Sequence, residues 1–224
     1  MAALYRLPDR EGLERLFAVD WPSDTPVDAE RGPTDPVPGV DSAGQARLFR
    51  WGFVPGWAKE ANGKPLINAR AETAPEKPTF RRAFQERRCA LPATAFYEWR
   101  EEPARFDVAQ PELFDDAPKP TRAAPKRKRR YRFTNAAGLF AIAGIWEIWN
   151  GDDGSELHTC AVLTTDSNAI VTPYNERMPC VLQPEDVERW LDPRLQSLET
   201  LGEVLQGLRS EQTLVSPAEP AKDD

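Results

Sequence analysis

Proline occurs 22 times in the 224 residues of this chain, and that frequency restricts the fold more than any other feature. Proline has no amide N–H and a fixed φ, so it interrupts helix interiors and central strands alike. Spread along the sequence, it favours short strands and short helices joined by many turns, and it argues against a helical bundle. Hydrophobic residues make up 40% of the chain and include seven tryptophans, enough apolar material for one folded core. One domain is expected over residues 1–215, followed by a disordered tail at 216–224. No stretch approaches the ~18 apolar residues of a membrane span, and the N-terminus lacks a basic-then-apolar leader, so a soluble, cytoplasmic protein is expected. Cys89, Cys160 and Cys180 show no paired or metal-like spacing and sit in apolar runs. Buried, reduced thiols and no metal site are expected.

Hydrophobic periodicity then places the elements. Asp9 reads as the cap of a helix with Leu13, Leu16 and Phe17 on one face. Arg47 to Val54 has strand composition, stopped by Pro55. Pro78 reads as the first residue of a helix through Arg87 that buries Phe80, Ala83 and Phe84. Cys89–Pro92, Ala95–Trp99, His158–Thr165 and Met178–Leu182 read as strands. In Ala95–Trp99, Phe96 and Glu98 share one face. Leu139–Trp149 is the longest apolar run, and Gly144 within it suggests a bulged strand. Gln183-Pro184 opens a helix carrying Val187, Trp190 and Leu191, and the leucines from 195 to 208 suggest a last helix over 194–208. His158, the only histidine, is expected at a strand edge.

Charge is distributed unevenly. The net charge is −7, yet residues 47–100 carry eleven Lys/Arg against five Glu, and residues 119–132 carry eight Lys/Arg and no acid. Such a local excess attracts polyanions, because distant acids are screened beyond ~8–10 Å. The segment 101–130 is rich in proline, switches from acid to base and ends in Lys126-Arg127-Lys128-Arg129-Arg130. It reads as a flexible insertion with a phosphate-binding or simply solvated basic run.

Ile67-Asn68-Ala69-Arg70-Ala71-Glu72-Thr73 concentrates an amide, a guanidinium and a carboxylate. In an extended segment Asn68, Arg70 and Glu72 would project from one face, with alanines packed behind. The neighbouring pieces give this stretch a context: Trp51-Gly52-Phe53-Val54-Pro55-Gly56-Trp57-Ala58, Phe96-Tyr97-Glu98-Trp99, Ala143-Gly144-Ile145-Trp146-Glu147 and Arg177-Met178-Pro179. In this order, with Arg87-Arg88-Cys89, Thr164-Thr165 and Pro33-Thr34 with Val37-Pro38, they resemble the SRAP family (SOS response-associated peptidase), the abasic-site processing proteins.

The resemblance covers roughly residues 1–192 outside the 101–125 segment. It implies an α+β fold, a single compact domain with a β-barrel-like core, a few peripheral helices and a basic groove for single-stranded DNA. It also implies a monomer, no cofactor, no membrane, and a place in the DNA damage response, at the nucleoid if DNA is bound. Family members condense the amine and thiol of a cysteine at the second position with the aldehyde of an abasic site, giving a thiazolidine. By motif match Asn68 and Glu98 are the pocket asparagine and glutamate, and Arg70 and Arg177 are phosphate-contacting arginines. Trp51 and Trp57 are candidates for stacking on bases, with core packing as the alternative.

Four positions depart from the family pattern. Ala2 stands where the cysteine belongs, Leu4 where a DNA-contacting arginine belongs, Glu30 within the replaced Tyr-Asn pair and Asn175 where the pocket histidine belongs. Without a thiol there is no thiazolidine. Three readings follow: a protein that binds abasic or single-stranded DNA without the stable crosslink, an amine-based lyase using the α-amine of Ala2 with Glu98, or an interaction protein that keeps only the fold. A carboxyl group with a raised pKa would supply the acid that imine formation needs.

Overall fold

The computed structural model describes residues 3–61, 63–103 and 126–219. The short segments between prolines and turns form, in order, β1 (Tyr5–Arg6), α1 (Arg10–Leu16), β2 (Glu30–Arg31), β3 (Pro36–Asp41), β4 (Ala46–Trp51), β5 (Asn68–Arg70), α2 (Arg81–Glu86), β6 (Arg88–Ala93), β7 (Ala95–Pro103), β8 (Lys126–Asn135), β9 (Phe140–Asn150), β10 (Glu156–Asp166), β11 (Arg177–Pro179), β12 (Val181–Leu182), α3 (Pro184–Leu191), α4 (Leu198–Val204) and β13 (Thr213–Pro217). β4, β3, β6, β9 and β10 pair in that order. The ring closes where β10 runs parallel to β4, Thr159 opposite Arg50 and Cys160 opposite Trp51. This is the barrel core of an α+β domain. Beyond the ring, the C-terminal half of β10 holds β5 on one side and β11 on the other. A second sheet, in the order β13-β8-β7-β1-β2, completes the β-structure. Tyr5, Trp51, Phe96 and Phe133 pack in one apolar cluster with barrel residues such as Phe49 and Trp146. Phe53, Phe80, Phe84 and Trp190 fill a second cluster with residues of α4.

Several sequence expectations need correction. Residues 71–80 fold as successive turns, so α2 begins at Arg81 and not at Pro78. Gly144 does not make a bulge. It pairs in register with Cys89 and Val162, and a Cβ there would sit 2.8 Å from the Cys89 sulfur. The last helix is shorter than 194–208, spanning Leu198–Val204, because Asp192 to Ser197 supply turns and its cap. The expected tail begins too early, since Ser216 and Pro217 pair with Arg132 and Tyr131 in β13–β8. The ends of the expected 101–130 insertion are strand: β7 and β8 form one ladder out to Pro103 opposite Lys126. The remainder of that insertion lies outside the described residues. His158 is interior to its strand, opposite Ile148, and its ring nitrogen meets Glu156 Oε1 at 2.9 Å. The three cysteines are free and buried, as expected.

Candidate functional site

Glu98 is 2% exposed, unusual for a carboxylate. The alternation of β7 puts it on the same face as Phe96, and its cross-strand neighbour on β8 is Tyr131. On the other side, Tyr5 of β1 pairs with Phe96, and the Tyr97 amide donates to the Leu4 carbonyl at 3.1 Å. Continuing that antiparallel register sets Ala3 across from Glu98. Ala3 is therefore set beside this carboxyl group, and Ala2 lies outside the described residues. Burial pushes the Glu98 carboxyl up to about 7, against a hydrogen bond from Asn175 that favours the charged form.

Asn175 comes from the loop between β10 and β11. Asn168 holds that loop, accepting from the amides of Ile170 and Val171 through Oδ1 and donating through Nδ2 to the Leu208 carbonyl at 2.7 Å. Tyr174 packs its ring on Tyr131 and Phe133, with centroids 4.6 and 5.2 Å away. The next residue is thereby delivered to the Glu98 carboxylate. Asn175 Nδ2 donates to Glu98 Oε2 at 3.0 Å, and its Oδ1 accepts from the Arg177 amide at 3.1 Å. One side-chain amide thus joins the two sheets, at the position where the resemblance places a histidine. An amide can orient Glu98 as a histidine would, but it cannot carry a proton.

Asn68 opens β5, opposite Val162 of β10, and the Trp51 indole donates to the Ile67 carbonyl just before it at 2.8 Å. The expected alternation holds: Ala69 is buried at the back and Arg70 is exposed at the strand end, with no ion pair to a described residue. Glu72 departs from it. The strand ends at Arg70, and the Glu72 carboxylate turns to grip Arg177 with both oxygens, at 2.9 and 2.7 Å. Arg177 also pairs with Asp166 at 2.6 Å and donates to the Thr164 carbonyl. Burial would raise the Glu72 carboxyl, yet Arg177 holds it below the usual range. Arg177 is therefore a neutralised guanidinium, with only 13% of its side chain exposed. Trp51 is 1% exposed and stacks edge-on against Tyr5, so it serves the core and no base reaches it. Trp57 is 75% exposed. Glu30 accepts two hydrogen bonds from Arg130, at 2.8 and 3.1 Å, and that guanidinium lies over Tyr97. Leu4 contributes backbone to the β1–β7 edge. Tyr174, Asp166 and Tyr131 belong to none of the motifs in the sequence; Tyr174 alone has a signal there, its adjacency to the Asn175–Arg177 stretch.

Among the described residues no group of His, Cys, Asp or Glu could hold a metal ion, and no helix is long and apolar enough to cross a membrane. The model of the SOS response associated peptidase (SRAP) family matches residues 18–221. The chain belongs to this family. Among SRAP relatives, the abasic site processing protein YoqW of Bacillus subtilis (strain 168) is 38% identical over 160 residues, which is 70% of this chain and 62% of that protein. The abasic site processing protein HMCES of Mus musculus is 29% identical over 155 residues, or 64% of this chain and 44% of that one. The chain thus spans less than two thirds of the length of these relatives. A crystal structure of a Bacteroides thetaiotaomicron protein superposes with a TM-score of 0.77 at 24% identity, covering 96% of this chain and 91% of that one. A Bordetella bronchiseptica protein superposes at 0.73 and 22% identity, covering 97% and 100%. These two likenesses bear on the fold.

Proposed function

We propose that this chain binds abasic sites in single-stranded DNA during the DNA damage response, as a monomer at the nucleoid, and forms no stable crosslink there. The observation that carries this reading is the buried Glu98, held by Asn175 and facing the strand that leads to the N-terminus. The names of the YoqW and HMCES relatives supply the lesion. Asn68 would contact the sugar, Arg70 a flanking phosphate, Arg177 a second phosphate only by exchanging its pair with Glu72, and Trp57 an unstacked base. Thiazolidine formation needs an amine and a thiol on one residue, and Ala2 has only the first.

A second reading rests on the carboxyl at about 7. If Met1 is removed, the Ala2 amine could attack the C1′ aldehyde to give a carbinolamine. Protonated Glu98 would then give its proton to the departing hydroxyl, releasing water and leaving an iminium ion. Such an adduct hydrolyses or permits β-elimination, so nicked strand and not a lasting crosslink would result.

The test is an abasic single strand incubated with the wild type, Arg70→Ala and Ala2→Cys, read by binding anisotropy and by denaturing gel. Salt-sensitive binding weakened by Arg70→Ala, no heat-stable adduct for the wild type, and a heat-stable adduct for Ala2→Cys are expected. A wild-type adduct that survives heating would overturn the absence of crosslinking. Complete lack of binding would leave an interaction protein built on the same fold. Borohydride trapping that disappears when the α-amine is acetylated would establish the amine route.

A further inference from the structure

Cross-strand partners of an antiparallel ladder share a face, as do residues two apart on one strand. In the β7–β8 ladder Glu98 faces Tyr131, Arg100 faces Arg129 and Glu102 faces Arg127. These six residues form one continuous face that begins at the pocket carboxyl and runs outward. The Arg100 guanidinium lies 5.4 Å from the Tyr131 ring and 4.9 Å from the Tyr174 ring, and Arg129 lies 5.8 Å from Tyr131. Glu102 accepts from Arg100 at 2.6 Å and from the Tyr131 hydroxyl, and sits 3.7 Å from Arg129. Outward of Glu98, three guanidinium groups therefore stand against one carboxylate, and Arg127 and Arg129 are exposed. Cation–π contacts and the Glu102 bridge fix Arg100 and Arg129 in place, which lowers the entropy lost when they take up a ligand. Arg127 and Arg129 are spaced about 6.8 Å along the strand, the scale of neighbouring phosphates on an extended single strand. Lys126 and Lys128 point to the opposite face, where Lys126 is already paired with Glu101 at 3.4 Å.

We propose that this face is a phosphate track: Arg100, Arg129 and Arg127 hold the backbone of the single strand on one side of the lesion as it leaves the Glu98 pocket. The inference rests on the DNA-binding reading above and assigns the basic run to contact by one face only. Arg127→Gln/Arg129→Gln and the opposite-face control Lys126→Gln/Lys128→Gln remove the same charge from exposed positions. Each is titrated over a range of salt with a long single strand carrying a central abasic analogue, and with a short one that ends one nucleotide from the lesion. For the long strand, the arginine pair is expected to lose about tenfold in affinity and to flatten the salt slope by about 1.4, at ~0.7 per released phosphate contact. The lysine pair is expected to match the wild type, and all three proteins are expected to bind the short strand equally. Wild-type binding left unchanged by the arginine substitutions, or reduced equally by the lysine substitutions, would overturn the track while leaving the DNA-binding reading intact. No binding of either strand by the wild type would overturn both.

Discussion

Glu98 shows how a neutral-pH acid is made from an ordinary carboxylate: strand alternation turns it inward, and burial then penalises its charge. Its folded pKa of about 7 lies above the usual 4.5, so the native state keeps the proton to higher pH than the unfolded chain does. Stability contributed by the neutral form is complete below about pH 4.5 and is lost as pH rises through 7. Glu98→Gln removes this dependence, and it is expected to gain on the order of 3 kcal/mol relative to the wild type between pH 5 and 8, read from urea midpoints. Equal pH profiles for the two proteins would contradict the buried-acid assignment. Arg177 gives a second test. Glu72 takes both terminal nitrogens of its guanidinium, with Asp166 on one of them as well, so Glu72→Gln should loosen the clamp toward phosphate and strengthen single-strand binding roughly twofold to fivefold. Weaker binding by that variant would mean that the ion pair orders the site instead. At this scale the sequence marks Glu98 and Asn68 as candidates because each lies in a compact local motif. It could not expose the Asn175–Glu98 hydrogen bond, whose partners are 77 residues apart, or the burial of Trp51, which depends on Tyr5 arriving from another strand.

Elements whose causes are local were legible, and those that depend on a distant partner were not. Asp9 caps α1 as read, its carboxylate accepting from the Gly12 amide at 2.8 Å. Pro184 at the start of α3 and the inward Trp190 follow the same logic. β13 is five residues long, with Leu214 and Val215 exposed, and it is a strand only because β8 offers an edge. The β7–β8 ladder has the same origin, since its outer pairs bridge residues that composition alone assigned to a loop. Arg88 is the strongest case of long-range demand. It is 1% exposed, donates to the carbonyls of Leu195 at 2.9 Å and of Asp192, and lies 5.3 Å from the Trp190 ring. It therefore ties the turn after α3 to the first residue of β6. Arg88→Met keeps the apolar stem of the side chain but leaves both carbonyls without their donor, and a loss of about 3 kcal/mol is expected by urea denaturation. A change below about 0.5 kcal/mol would show that the turn finds other donors.

On the scale of the whole molecule, one strand couples the barrel to the site. β10 closes the ring against β9 and β4 with its first half, and with its second half it carries β5, which bears Asn68 and Arg70, and β11, which bears Arg177. Barrel closure and pocket assembly should therefore be a single cooperative event. Gly144 sets how closely the ring can close, since a side chain there would meet the Cys89 sulfur at 2.8 Å and the Ala161 carbonyl at 3.3 Å. Both neighbours belong to central strands and cannot swing aside as a surface side chain would. Gly144→Val is expected to cost about 1–3 kcal/mol by overpacking, at a position that touches no residue assigned to DNA contact and is separated in register from Asn68 by Val162 of β10. Its urea transition should stay single, with tryptophan fluorescence and far-ultraviolet circular dichroism falling together at a lower midpoint. Single-strand affinity measured well below that midpoint should equal the wild type's. Two separated transitions would show that the barrel and the second sheet unfold independently, and lost affinity in a still-folded variant would show that ring diameter, transmitted through β10, sets the spacing of Asn68 from Glu98.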